Sequence, residues 1–182
     1  MLENKILWWS VGVILGLVII PGFIFDWGRV FSSKQAAVSF TDCVARNYVV
    51  MESYPRQCKD ATGQTFVEDI GNTLDKADLI SIESPRPGEV ISSPLTIVGQ
   101  ARGTWYFEAS FPIVLRTLGG EVLVTGHAEA LDEWMTNEFV PFKAVLEFGS
   151  IAEKDLILEL KKDNPSGLPE HDDSVWIPVR LN

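Results

Sequence analysis

The stretch Phe107-Glu108-Ala109-Ser110-Phe111-Pro112-Ile113-Val114-Leu115-Arg116 decides the fold. Phe107, Ala109, Phe111, Ile113 and Leu115 alternate with Glu108, Ser110, Pro112, Val114 and Arg116. A period of two places the first set on one face of a strand and the second on the other. Pro112 has no N–H to give a neighbouring strand, so the sequence predicts an edge or a bulge there. The alternation returns in Glu121–Glu129, Val140–Phe148, Leu156–Leu160 and Val175–Leu181, and Gly119-Gly120 stands between two of these runs as a hairpin turn. With Ser81-Ile82 and Leu95–Val98 this makes about seven short strands over roughly a hundred residues, the count of an antiparallel β-sandwich. No long helical period interrupts them.

Upstream of Ile80 the pattern stops. Asn72–Leu79 reads as a linker, and Phe40–Gly71 is rich in turn signals and too small to build a core unaided. Both cysteines of the chain, Cys43 and Cys58, lie in that stretch. Beyond a membrane, in an oxidising compartment, two such cysteines read as one disulfide, and closing a loop of roughly 15 residues is worth about 3 kcal/mol on the chain-entropy picture. Thr41 or Asp42 is the expected cap of a short helix over Cys43–Arg46, and Gly63 marks a turn before a strand at Gln64–Val67. Pro55 restricts Tyr54 to extended conformations, which makes Tyr54 and Arg56 candidate partner-binding residues on a presented loop.

Further upstream, Ile6–Phe25 is twenty residues without a charged side chain, long enough as a helix to cross a hydrocarbon core of about 30 Å. Trp8 and Trp9 sit near one end and Trp27 just past the other, the placement of two interfacial aromatic belts. The run exceeds the roughly 7–15 apolar residues of a signal peptide, so it reads as a retained anchor; cleavage after Gln35-Ala36-Ala37 is the alternative. Gly12 and Gly16 have the spacing that lets two membrane helices approach closely, the basis for a weak homodimer as a minor reading. Arg29 and Lys34 follow the span, so the cysteines rather than the basic residues place the body outside the cytoplasm.

The formal charge is −10, spread unevenly. Residues 1–38 carry three basic and two acidic side chains, residues 39–72 three and five, and residues 73–182 nine and eighteen. An acidic exterior with no basic stripe argues against nucleic acid and against adhesion to anionic lipid.

Two resemblances extend this reading. The motif Asp42-Cys43, then Val50-Met51-Glu52-Ser53-Tyr54-Pro55-Arg56-Gln57-Cys58, then Gly63-Gln64-Thr65-Phe66 resembles a small motif of membrane-anchored extracytoplasmic bacterial proteins, and more loosely a Kazal-type protease inhibitor. Those inhibitors use three disulfides, whereas this chain holds two cysteines. From Ile80 the text reads Ser84-Pro85-Arg86-Pro87-Gly88, then Ser92-Ser93-Pro94-Leu95, then Gly99-Gln100-Ala101-Arg102 ahead of Phe107-Glu108, and it ends on Trp176-Ile177-Pro178-Val179-Arg180-Leu181. This resembles the bacterial immunoglobulin-like domain found with the sporulation and spore-germination protein GerM, across residues 80–182. The likeness implies an immunoglobulin-like fold and an extracytoplasmic binding or scaffolding role, and it brings no catalytic residues.

Other groupings are weaker. Asp163, Asp172 and Asp173, with Asn164 and Glu170, are the densest oxygen ligands and weak calcium candidates, but they lack the spacing of an EF-hand loop, and Pro165, Gly167 and Pro169 shape a solvated turn from the same residues. Trp105, Tyr106 and Trp134, near Phe107 and Phe139, suit a sandwich core better than a sugar platform. Trp176 alternates against Val175 and Ile177, so the pattern places it on the outer face as a candidate partner contact. His127 and His171 stand apart from any motif-bearing nucleophile, and the carboxylates form no paired site.

The sequence therefore predicts a mainly β protein, an immunoglobulin-like antiparallel β-sandwich with an N-terminal transmembrane helix and a small disulfide-closed module. The parts are the tail and anchor at 1–29, a tether at 30–39, the disulfide-closed module at 40–71, a linker at 72–79 and the sandwich at 80–182. The expected function is a membrane-anchored, extracytoplasmic, non-enzymatic binding or scaffolding protein of the cell envelope. Its expected partners are the membrane and an envelope protein or glycan, with no nucleic acid, no cofactor and no metal. A protease-inhibitor-like loop and an accessory of an envelope hydrolase are the alternatives.

Overall fold

The computed structural model describes residues 35–182, of which 36–182 form one compact unit. The expected membrane helix over Ile6–Phe25 and the Gly12/Gly16 contact lie outside the described residues. Among the described residues no helix is long and apolar enough to cross a membrane.

The chain begins with helix α1 (Phe40–Ala45). Its cap is Ser39, whose Oγ accepts from the Asp42 N–H at 3.1 Å, upstream of the expected Thr41 or Asp42. Asp42 lies in the first turn instead, and its carboxylate accepts from the Val38 N–H at 3.0 Å and the Arg46 Nε at 2.8 Å. The helix ends where Asn47 turns left-handed at φ 57°. Three short strands follow as an antiparallel meander: β1 (Val49–Met51), β2 (Gln57–Lys59) and β3 (Thr65–Val67). Cys43 of α1 is joined to Cys58 of β2, both fully buried, with Cα atoms 6.1 Å apart. Ala37 completes this small core, with Phe40, Tyr48, Val50 and Phe66 packed around it.

The sandwich contains β4 (Ile80–Ser84), β5 (Val90–Ile91), β6 (Leu95–Arg102), β7 (Ser110–Thr117), β8 (Val122–Ala130), β9 (Phe139–Leu146), β10 (Asp155–Lys161) and β11 (Ser174–Leu181). They run in the order β4-β6-β9-β8-β7-β10-β11-β5, antiparallel except for β11 with β5. β8 and β9 pair at two positions only, Glu129 with Lys143 and Ala130 with Phe142. That short join is a corner where the sheet folds over, so β4, β6 and β9 face the remaining strands. Phe111 of β7 and Phe142 of β9 meet edge-to-face with ring centroids 5.0 Å apart, although β8 lies between their strands in the sheet. Strict alternation in β9 and β11 sends Val140, Phe142, Ala144, Leu146, Val175, Ile177 and Val179 into one core. Burial of each large aliphatic or aromatic side chain contributes about 1.5–3 kcal/mol.

Two features depart from the sequence reading. Phe107–Ala109 are not strand: Glu108 and Ala109 sit at φ 50° and 62°, and Phe107 exchanges backbone hydrogen bonds with Ser110 across this tight turn. The alternation overran the boundary because the turn carries none of the glycine or asparagine that usually marks it. Pro112 lies in a central strand, between β8 and β10, rather than on an edge. It is tolerated because pairing of β7 with β10 ends at Ile113, so β10 never asks residue 112 for a donor; the irregularity with β8 falls at Leu115/Arg116 instead.

The segment 72–79, read as a linker, is a series of turns packed against β11. Asn72 acts as a short piece of strand. Its Oδ1 accepts from Trp176 N at 2.8 Å, its Nδ2 donates to Ser174 O at 2.9 Å, and its own N–H donates to Trp176 O at 3.3 Å. Further along, Gly88 N donates to Pro178 O at 2.8 Å and Arg180 N to Glu89 O at 2.9 Å. Pro178 has no N–H to satisfy. The outer edge of β11 is thus closed residue by residue, as an otherwise sticky sheet edge requires. Lys76 adds an ion pair to Asp173 at 2.6 Å.

Candidate functional site

The disulfide carries the local order around which a candidate site is built. By tying α1 to β2 it presents α1 and β3 as one wall, and Asp60 fixes where the chain enters that wall. The Asp60 carboxylate accepts from Ala37 N at 3.0 Å, Thr62 N at 2.8 Å, Thr62 Oγ1 at 2.7 Å and Gln64 N at 3.0 Å. Its pKa is held below the usual carboxylate range, first by the Thr62 hydroxyl and then by the three backbone donors, against the opposing effect of burial.

Arg56 is half-exposed but not free. Its guanidinium grips the Glu68 carboxylate at both oxygens, with Nε to Oε2 at 2.9 Å, and it lies 5.5 Å over the Phe40 ring. Glu68, 9% exposed, also accepts from the Arg56 backbone N–H at 3.3 Å. The carboxylate raises the Arg56 pKa still further above its ordinary value. Tyr54 is 60% exposed, yet its hydroxyl is bonded to Thr73 Oγ1 at 2.8 Å. A loop that enters a protease needs a free side chain at its tip, and this arginine is spent holding β2 to β3.

Trp176 is half-buried rather than a free platform. Gly71 packs on it so closely that a Cβ there would stand 1.9 Å from Trp176 O and 2.9 Å from the indole. Two carboxylates of the acidic loop are separately engaged: Asp172 accepts from Asn164 Nδ2 at 2.8 Å, and Asp173 pairs with Lys76 and accepts from Ser174 N. Asp163 contributes its backbone N–H to Trp105 O at 3.0 Å. Among the described residues no three His, Cys, Asp or Glu side chains are placed to hold a metal ion. Trp105 and Tyr106 are buried in the core, where Tyr106 donates its hydroxyl to Val140 O at 2.8 Å and burial pushes its pKa well up.

A cleft of about 700 Å³, within the size range of ligand sites, opens between α1–β3 and the sandwich. Phe40, Val44, Phe66 and Val67 form one wall; Leu118, Leu156 and Val179 form the other. Pro87 and Gly88 lie at its side and Arg180, paired with Asp155 at 3.0 Å, on its rim. Sequence reasoning missed this site because its walls come from separate parts of the chain, one within residues 40–67 and the other from Leu118, Leu156 and Val179. The one available signal was Leu118, an apolar residue in a hairpin turn that has no structural need for it.

The sandwich motifs prove to be joints. Gly99 lacks a side chain because a Cβ would meet Ser81 O at 2.1 Å and Phe142 at 2.7 Å. Ala101 is fully buried, and Arg102 stacks 4.0 Å from the Phe139 ring while donating to Asp78 O and Asn137 O. Ser93 Oγ accepts from Phe148 N at 2.9 Å.

No curated protein and no solved structure matches the chain. Residues 79–167 match the family model of the immunoglobulin-like domain of bacterial spore germination. The match takes in β4 to β10; β11 lies beyond it but fills the same core. The family points to a binding or scaffolding role without catalysis. Strand order and motif residues agree with this match, and residues 79–167 are similar to the immunoglobulin-like domain of bacterial spore germination.

Proposed function

We propose that the protein is a single-pass, N-terminally anchored binding or scaffolding protein of the bacterial cell envelope, non-enzymatic, with its body outside the membrane. The buried Cys43–Cys58 disulfide, downstream of the uncharged run Ile6–Phe25, carries this reading. A stable disulfide belongs to an oxidising compartment, and twenty apolar residues are enough to hold its bearer at the membrane. The cleft beside the disulfide module is where such a protein binds, because its walls are apolar and its charged groups are mostly paired within the chain.

Topology is the test. Protease added to intact spheroplasts removes residues 36–182 and leaves a membrane-embedded N-terminal fragment. Alkylation before reduction labels neither cysteine, and alkylation after reduction labels both. A body protected until the membrane is opened, or two freely alkylated thiols, refutes the reading.

A further inference from the structure

The described strands leave four edges without a partner: β4, β5, β1 and β3, of which β5 is only two residues long and does not line the cleft. β4 is blunted by Glu83, by an irregularity at Ile82/Ser84 and by Pro85. β1 turns only Val50 outward, because the alternation of antiparallel bonding spends Val49 and Met51 on β2. β3 differs. Glu68 N donates to Arg56 O and Asp60 N to Gln64 O, so the alternation gives Phe66 to β2 and leaves the N–H and C=O groups of Thr65 and Val67 facing away from it. This is also the one open edge that adjoins the cleft, whose wall includes Phe66 and Val67.

We propose that the cleft takes an extended, apolar segment of a partner polypeptide carrying a lysine or arginine, and that the segment adds to β3 as a fourth strand. The proposal rests on the binding role above and names its ligand class. Backbone groups of Thr65 and Val67 specify an extended chain, since only another backbone offers donors and acceptors at strand spacing. The half-exposed Val67 and Leu118, 56% and 66% exposed, and the Leu156 and Val179 wall receive its apolar side chains. Charge selects the cation. Arg56 is satisfied by Glu68 and Arg180 by Asp155, whereas Asp69 has no cationic partner among the described residues and accepts only the Gly71 N–H at 2.9 Å. Both parts of the body are acidic in excess, which favours encounter with a basic segment and disfavours a second copy of the same chain. A glycan would need converging polar groups, and those of the cleft are largely engaged within the protein.

The test uses the full chain in lipid nanodiscs against a displayed library of random decapeptides, with empty nanodiscs as the counter-selection. Enriched peptides share alternating apolar residues and a lysine or arginine. Val67→Pro removes an outward N–H without removing a β2–β3 hydrogen bond, and it weakens the selected peptides by about tenfold or more. Asp69→Lys shifts the selection from basic to acidic peptides, and it carries the test should Val67→Pro lower the melting temperature. No enriched peptide, enrichment indifferent to both variants, or soluble peptidoglycan fragments binding at the cleft in place of peptides overturns the proposal. Peptide binding with a cytoplasmic body would sink the envelope reading alone; an external body that binds no peptide would sink this one alone.

Discussion

Asn72→Ala tests whether the segment before the sandwich is part of it. The side chain makes two hydrogen bonds to β11, at 2.8 Å from Trp176 N and at 2.9 Å to Ser174 O. Each contributes about 0.5–1.5 kcal/mol net, and a part-buried Trp176 N–H left without a partner costs more than the bond was worth. The expected loss is about 2–3 kcal/mol. For a unit of this size, one kcal/mol moves the midpoint by about 2–4 °C, so scanning calorimetry of residues 36–182 should show a fall of about 4–12 °C. Hydrogen exchange should quicken first at the Trp176 amide, with the β10–β11 amides following the global change. Asn72→Asp keeps the acceptor for Trp176 N and loses the donor to Ser174 O, so it should fall between the two. A shift below about 1 °C for Asn72→Ala would show that water replaces the clamp at no cost, and that 72–79 is a linker in the ordinary sense.

Three further outcomes follow from the module. Replacing Cys43 and Cys58 by serine should loosen residues 40–71 by about 3 kcal/mol, read as faster amide exchange there, with β6, β7 and β9 unaffected; a large drop in the melting of those strands refutes it. Arg56→Ala should destabilise the module more than Glu68→Gln, because the first strands a buried carboxylate whereas the second leaves a half-exposed guanidinium to solvent; urea unfolding of the two variants gives the order. Acidification should release the chain at Ala37: the Asp60 pKa is lowered on folding, so its contribution is complete above the unfolded value near 3.8 and is lost as pH falls below it. Amide exchange at Ala37 between pH 5 and 3 should show that loss, and Asp60→Asn should flatten the dependence.

Much of this architecture is legible in the sequence because strand patterning is local. Alternation at Val140–Leu146 and Val175–Leu181 is enough to name strands and their buried faces, since a pleat sends successive side chains to opposite sides. The pairing of Cys43 with Cys58 is legible for a different reason: with two cysteines in the chain there is one intramolecular bond to make. What local pattern does not carry is who faces whom. Trp176 alternates as an outward residue and is one, yet Gly71 and Asn72 cover it from a hundred residues away. Arg56 reads as a displayed side chain until Glu68 comes back across β2–β3 and takes both of its forks. The cleft exists only because Leu118, Leu156 and Val179 are brought opposite α1 and β3, and no window of sequence contains both walls. Composition and period determine which surfaces must be buried; long-range pairing alone decides which edges are closed, and therefore that β3 beside the cleft is left open.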